Sequence, residues 1–131
     1  MLNKMLERAL SAKKTAYAPY SKFHVGAVIL SENNNLYSGC NIENAAYPQG
    51  CCAEMTAIGH MIMGGDKTIK EILVVGGNED MCTPCGGCRQ KIREFANKHT
   101  LIHCANSNGV LKTFTLNELL PYSFGPEDLG K

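Results

Sequence analysis

Seven cysteines carry most of the chemical potential in this chain of 131 residues. Cys85 and Cys88 stand three positions apart directly behind Pro84, so both sulfurs can meet one ion at the start of a helix. A C-x-x-C step alone also suits a redox pair or half of a structural zinc site. Cys52-Ala53-Glu54 supplies the second piece, again at an expected helix start. There the cysteine can ligate, and the glutamate two positions on lies close to the ion without ligating. Cys52, Cys85 and Cys88 leave one vertex of a tetrahedron open, which is the pattern of catalytic rather than structural zinc. An open vertex admits a water that loses its proton near neutral pH. Glu54 is the candidate catalytic residue, placed to take that proton and deliver it to a substrate.

Other uses of these sulfurs remain open. Cys51 adjoins Cys52, but only Cys52 gives the two-residue step to Glu54. Cys82, Cys85 and Cys88 form C-x-x-C-x-x-C, a spacing that iron–sulfur proteins share, though no matching fourth ligand and proline follow. A structural site of four cysteines, drawing on Cys51 or Cys52 with Cys82, Cys85 and Cys88, is a further alternative. Three thiolates outweigh the charge of one Zn2+ and make bound water less acidic. The positive ends of the two expected helices offset this, and Arg89, next to Cys88, could add donors to the sulfurs. Cys40 and Cys104 fall in expected strands and read as small core residues. His24, His60, His99 and His103 show no ligand spacing and are given no role.

Such a site needs elements to position it. Leu2, Met5, Leu6, Ala9 and Leu10 recur at three- and four-residue steps, which predicts an amphipathic helix over 2–16, stopped at Ala18-Pro19. Residues 23–30 are nearly all apolar and read as a buried strand; Asn33 to Asn35 form a turn, and 36–41 the returning strand. An irregular stretch, 42–51, precedes a helix over 52–63 that ends at Gly64-Gly65. Then come a strand over 71–76, a loop over 78–83, a helix over 86–97, and strands over 101–104 and 110–115 joined by a turn at Asn106 to Gly109. The tail from Leu119 to Lys131 is rich in Pro and Gly. This order predicts an α/β fold in three layers, with a five-stranded mixed sheet, helices on both faces and parallel pairing mid-sheet. Residues 1–131 read as one domain.

The formal charge of +1 is interleaved, so no basic stripe awaits a nucleic-acid polymer. No apolar run suits a membrane helix, and the N-terminus is amphipathic rather than signal-like, which places the chain in the cytoplasm. An odd number of cysteines in that reducing compartment favours metal ligation over disulfides.

Longer stretches sharpen the picture. Residues 17–27 (Tyr-Ala-Pro-Tyr-Ser-Lys-Phe-His-Val-Gly-Ala), Gly39-Cys40-Asn41-Ile42-Glu43-Asn44-Ala45 and Pro84-Cys85-Gly86-Gly87-Cys88-Arg89-Gln90 resemble the small, homotetrameric three-cysteine zinc cytidine deaminases. The likeness spans nearly the whole chain, through Leu119-Leu120-Pro121 and Phe124. It implies hydrolytic deamination of cytidine and deoxycytidine to uridine and deoxyuridine, with release of ammonia, in pyrimidine salvage. One Zn2+ per subunit on Cys52, Cys85 and Cys88 is implied, with Glu54 donating to ring N3 and then to the leaving amine. Asn41 and Glu43 are implied to bind the ribose hydroxyls, Phe23 to pack on the nucleoside, and Ala53 to line its site. Ala45, Tyr47 and Phe124 would serve a neighbouring chain's pocket, Phe124 by stacking on the pyrimidine; the Thr83 carbonyl would receive the amine. One departure concerns Met55, where related enzymes carry an arginine that bonds the thiolates. It shifts the expected charge compensation towards Arg89 and the helix ends. His24 and Pro48 to Cys51 also depart from the pattern. The rivals are a deaminase of a cytosine antibiotic nucleoside of the blasticidin S type, an iron–sulfur protein and a zinc-stabilised binding module.

Overall fold

The structure, a computed structural model, describes residues 1–131. Its elements are α1 (Leu2–Lys14), β1 (Gly26–Ser31), β2 (Leu36–Cys40), α2 (Ala53–Met63), β3 (Ile69–Val75), α3 (Gly86–Phe95), β4 (Leu101–Asn106), β5 (Gly109–Thr115) and a four-residue α4 (Leu116–Leu119). The five strands form one sheet in the order β2-β1-β3-β4-β5. Only β3 and β4 run parallel, because α3 supplies their crossover; the other neighbours are antiparallel. The expected mixed sheet is what forms.

Strand alternation sends successive side chains to opposite faces. Val28, Leu30, Leu73, Val75 and Ala105 pack with Met5 and Ala9 of α1. Ala27, Ile29, Ile72, Val74, Ile102 and Cys104 pack with Ala53, Ala57, Ile58 and Met61 of α2 and Ile92 of α3. The layers are therefore α1, then the sheet, then α2 and α3. Close approach is bought by glycine at Gly39, where a Cβ would lie 2.5 Å from the Ala53 carbonyl oxygen, against the backbone of α2.

Some boundaries differ from expectation for identifiable reasons. The strand expected over 23–30 begins at Gly26, because the Asn41 amide takes over the backbone before it: Val25 N–H donates to Asn41 Oδ1 at 2.9 Å and Asn41 Nδ2 donates to the Phe23 carbonyl at 2.8 Å. The tail is also more ordered than its Pro and Gly content suggests. A capping box between Thr115 and Glu118 starts α4, and Arg93 of α3 ties Ser123 and Glu127. Cys104 is core, whereas Cys40 is only half-buried, with the Thr15 hydroxyl at 3.6 Å from its sulfur.

Two polar clusters escaped the sequence reading. Buried Asp66 accepts from Ser31 Oγ, Asn33 Nδ2, Asn35 Nδ2 and Tyr37 OH, which pins the β1–β2 turn to the α2–β3 connection. Buried His103 bridges Glu71 Oε1 (2.6 Å) and Thr113 Oγ1 (2.7 Å) across β3, β4 and β5. No helix is long and apolar enough to cross a membrane.

Candidate active site

Cys52 is the N-cap residue of α2 and Cys85 that of α3, and both have extended backbone. Cys88 follows in the first turn of α3. Each helix start leaves N–H groups without intrahelical partners, so both positive ends converge on the thiols. Cys52 Sγ, Cys88 Sγ and a Glu54 carboxyl oxygen lie within 4.8 Å of one another. Cys85 is exposed and stands outside that group. The structure thus brings two of the three expected ligands, Cys52 and Cys88, together with Glu54, and leaves the third, Cys85, outside the cluster at the N-cap of the helix that carries Cys88.

The electrostatics are those of a proton-handling site. A hydrogen bond with Cys88 lowers the Cys52 thiol to about 6 and raises Cys88 in return. Burial pushes Glu54, only 4% exposed, up to about 7, with the Cys52 charge adding to the effect. Lys91, which sequence reading passed over, lowers both Cys52 and Glu54 through its charge, as a smaller influence. Clustered thiols suit a soft, tetrahedral ion, and the buried carboxyl is not needed as a ligand, so the donor set fits zinc.

The substrate-side residues are fixed by the irregular stretch after β2. Ile42 bridges in both directions: Ile42 N–H donates to the Cys51 carbonyl and Cys51 N–H to the Ile42 carbonyl, each at 2.9 Å. Tyr17 N–H donates to the Asn41 carbonyl and Glu43 N–H to the Tyr17 carbonyl. Glu43 is gripped by Tyr20 N–H (2.9 Å), Ser21 N–H (3.1 Å) and the Ser21 hydroxyl. The Ser21 hydroxyl contributes most to holding its carboxyl below the ordinary range, so Glu43 stays ionised. Tyr20 and Ser21 therefore belong to the site although no role was assigned to them; their place in the shared 17–27 stretch was the available signal.

Asn41, Glu43, Tyr47, Cys52, Ala53 and Glu54 line one cavity of about 540 Å3, joined by Tyr20, Ser21, Val25, Ile42, Asn44, Gly50 and Cys51. Phe23, Ala45 and Phe124 do not line it. Phe23 lies over Gly77, where a Cβ would collide with its ring. Phe124 is 56% exposed on the tail, with its carbonyl tied to Gln90 Nε2 at 3.0 Å.

Arg89 does not play the part expected of it. Its donors go to oxygen, not sulfur: Nε to the Pro84 carbonyl (2.7 Å), Nη1 to the Leu119 carbonyl (2.8 Å) and Nη2 to Thr83 Oγ1 (2.9 Å). The guanidinium braces the turn that delivers Cys85 and anchors it to the end of α4. Met55, in the first turn of α2, is half-buried and packs against the core.

Thiols at two helix N-termini around a buried carboxyl, on a mixed sheet between helical layers, define a zinc-binding α/β domain with a hydrolytic site. Residues 1–104 match the cytidine and deoxycytidylate deaminase zinc-binding region. A cytidine deaminase of Sporosarcina psychrophila is 41% identical over 98% of this chain and 95% of its own. That of Halalkalibacterium halodurans is 37% identical over 96% of each. Among solved structures, cytidine deaminase from Burkholderia pseudomallei superposes with a TM-score of 0.88 at 34% identity, over 95% of this chain and 99% of that one. The enzyme from Mycobacterium tuberculosis gives 0.84 at 32%, over 94% and 96%. The chain belongs to the zinc-dependent cytidine and deoxycytidylate deaminase family, with zinc as its cofactor.

Proposed function

We propose that the protein is a cytidine deaminase that hydrolyses cytidine and deoxycytidine to uridine and deoxyuridine with release of ammonia, in pyrimidine salvage. The observation that carries this reading is one cavity in which Glu54, beside paired thiols, faces Asn41 and Glu43. Cys52, Cys85 and Cys88 would hold the zinc, whose Lewis acidity makes water nucleophilic near neutral pH. Glu54 takes a proton from the water attacking C4 and gives it to ring N3. It then moves the second water proton to the leaving amine, which departs as ammonia. A carboxyl raised to about 7 suits both directions of transfer at neutral pH. Asn41 and Glu43 orient the sugar: each keeps bonding capacity beyond its backbone partners, and an ionised carboxylate accepts from a hydroxyl.

The same lining argues for nucleosides over nucleotides. Its carboxylates are Glu43 and Glu54, and it carries no lysine or arginine. A phosphate dianion entering there would meet repulsion with no compensating side-chain cation, and three thiolates outweigh the charge of the zinc they would hold. Of the two substrate classes in the family's description, cytidine is therefore the one the pocket suits.

The cavity is also unfinished. Tyr47 is 75% exposed and Tyr20 50%, so aromatic wall surface faces solvent. This open aromatic surface supports assembly with further copies, a homotetramer in this reading, with Ala45 and Phe124 serving a neighbour's pocket, whereas Tyr47, expected there too, walls the cavity of its own chain. The cytoplasm is the compartment this reading assigns. The test is deamination of cytidine, deoxycytidine, cytosine and deoxycytidine monophosphate by one zinc-quantified sample. Turnover of both nucleosides, with weak activity on the other two, is expected. Equal turnover of free cytosine would remove the roles of Asn41 and Glu43.

A further inference from the structure

A second cavity has the opposite chemistry. It measures about 600 Å3 and crosses the free edge of β2, between α1 on one face of the sheet and α2 on the other. Arg8, Ser11 and Thr15 reach it from one stripe of α1, Ser38 from β2, and Thr56 and His60 from α2. Two cation-capable groups and four hydroxyls line it, and no carboxylate does. An adjoining hollow of about 390 Å3 shares Arg8 and adds Lys4 and the N-terminal Met1, again without a carboxylate. Asp66, whose partners Asn35 and Tyr37 lie in that hollow, has both oxygens already bonded by four donors.

The groove is shaped for a ligand with several acceptors rather than for another strand. The carbonyls of Ser38 and Cys40 are already taken, by His60 Nδ1 at 3.2 Å and Thr56 Oγ1 at 2.7 Å. A carbonyl accepts only, so Nδ1 carries the proton and the other ring nitrogen is uncommitted. Arg8 makes no ion pair. Thr15 and Thr56 donate their hydroxyl protons to the carbonyls of Ala12 and Cys40, which leaves Ser11 and Ser38 as the available hydroxyl donors. A guanidinium fork flanked by these two matches a phosphate, whose oxygens accept from planar N–H pairs and O–H groups together.

We propose that this groove binds a phosphate group, free or carried by a small nucleotide. The active-site cavity repels phosphate and this one attracts it, so the molecule sorts nucleosides from nucleotides between two places. The groove also touches the elements that bear the active site: Cys40 precedes Asn41, and Thr56 lies two residues beyond Glu54 in the first turns of α2. A bound phosphate at Thr56 would reach the bond from the Thr56 hydroxyl to the Cys40 carbonyl that ties α2 to β2.

Amide NMR titration and calorimetry on the zinc-loaded protein, at fixed ionic strength, test this with uridine 5′-monophosphate, uridine and inorganic phosphate. The monophosphate is expected to shift the amides of Ser38, Gly39, Thr56 and His60, while uridine shifts those around Asn41 and Glu43. Arg8→Ala should weaken the monophosphate about tenfold or more, and Arg8→Lys less, because lysine keeps the charge without the fork. Inorganic phosphate binding as tightly as the monophosphate would support the site and make the phosphate alone its ligand; tighter monophosphate binding would assign a nucleotide. Shifts confined to the active-site amides, or an affinity unchanged in Arg8→Ala, would overturn the proposal.

Discussion

Glu54 sits in the first turn of α2, two residues after a thiol and almost sealed from water. Those surroundings support the proposed role of proton carrier, since a group near neutrality can both take and give. Glu54→Gln should retain close to one zinc per chain by metal analysis while losing about 10²–10⁴-fold in kcat, the usual worth of a placed acid–base group. Loss of zinc with activity would make Glu54 a ligand instead. The spacing of Cys52, Glu54, Cys85 and Cys88 was legible in the sequence because helix starts translate short steps into proximity. The partners of Arg89 were not: Leu119 is 30 residues away, and nothing local says that a guanidinium beside a cysteine will turn to carbonyls. Asp66 was illegible for the same reason, its donors lying 29 to 35 residues off. Four donors, the Asn33 amide foremost, hold its carboxyl far below the ordinary range. A depressed folded value adds stability that is complete above the unfolded value of ~3.9 and fades as pH falls below it. Urea unfolding at pH 7 and again near pH 3 should therefore show a larger loss for the wild-type chain than for Asp66→Asn. Equal losses would mean that Asp66 is not ionised in the fold.

At the scale of elements, apolar period for α1, apolar runs for the strands and Pro and Gly signals for α2 and α3 announced every major helix and strand, and errors gathered where a side chain replaced the backbone ladder. Residues 23 to 25 read as strand because they are largely apolar; the Asn41 amide claims their backbone instead, and so a side chain that lines the cavity sets where β1 begins. The order of the Pro- and Gly-rich tail was hidden because its clamps from α3 are tertiary choices, whereas the capping box of Thr115 and Glu118 before it is a local signal that the reading did not use. The fit of α2 on β2 was also hidden, yet it controls the site, since α2 carries Cys52 and Glu54 at its head. Gly39 is the contact point, and the atoms a Cβ would meet are largely backbone that cannot swing away. Gly39→Ala should cost about 1–3 kcal/mol and lower Tm by on the order of 5 °C, with kcat falling as α2 is displaced. An unchanged melting curve would show that α2 and β2 separate freely.

For the whole molecule, the position of Phe124 decides how the site is completed. The ring is half exposed on a tail that Gln90 and Arg93 hold rigidly against α3, and it does not line its own chain's cavity. In the proposed assembly, a fixed, exposed aromatic of one copy would complete a cavity with bare tyrosine walls in another, as closed symmetry allows. Stacking on a base is worth ~1–3 kcal/mol, so Phe124→Ala should raise KM about tenfold while changing kcat less. Mixing then separates a shared site from a private one. Glu54→Gln subunits lack the proton carrier but keep the phenylalanine, whereas Phe124→Ala subunits have the reverse. After subunit exchange in an equal mixture, about half of the intact carboxyl sites should receive a phenylalanine from a Glu54→Gln neighbour. Those sites should show the wild-type KM, giving a biphasic saturation curve against cytidine. If the mixture keeps the single high KM of Phe124→Ala despite proven exchange, each chain completes its own pocket and the tail serves only its own fold.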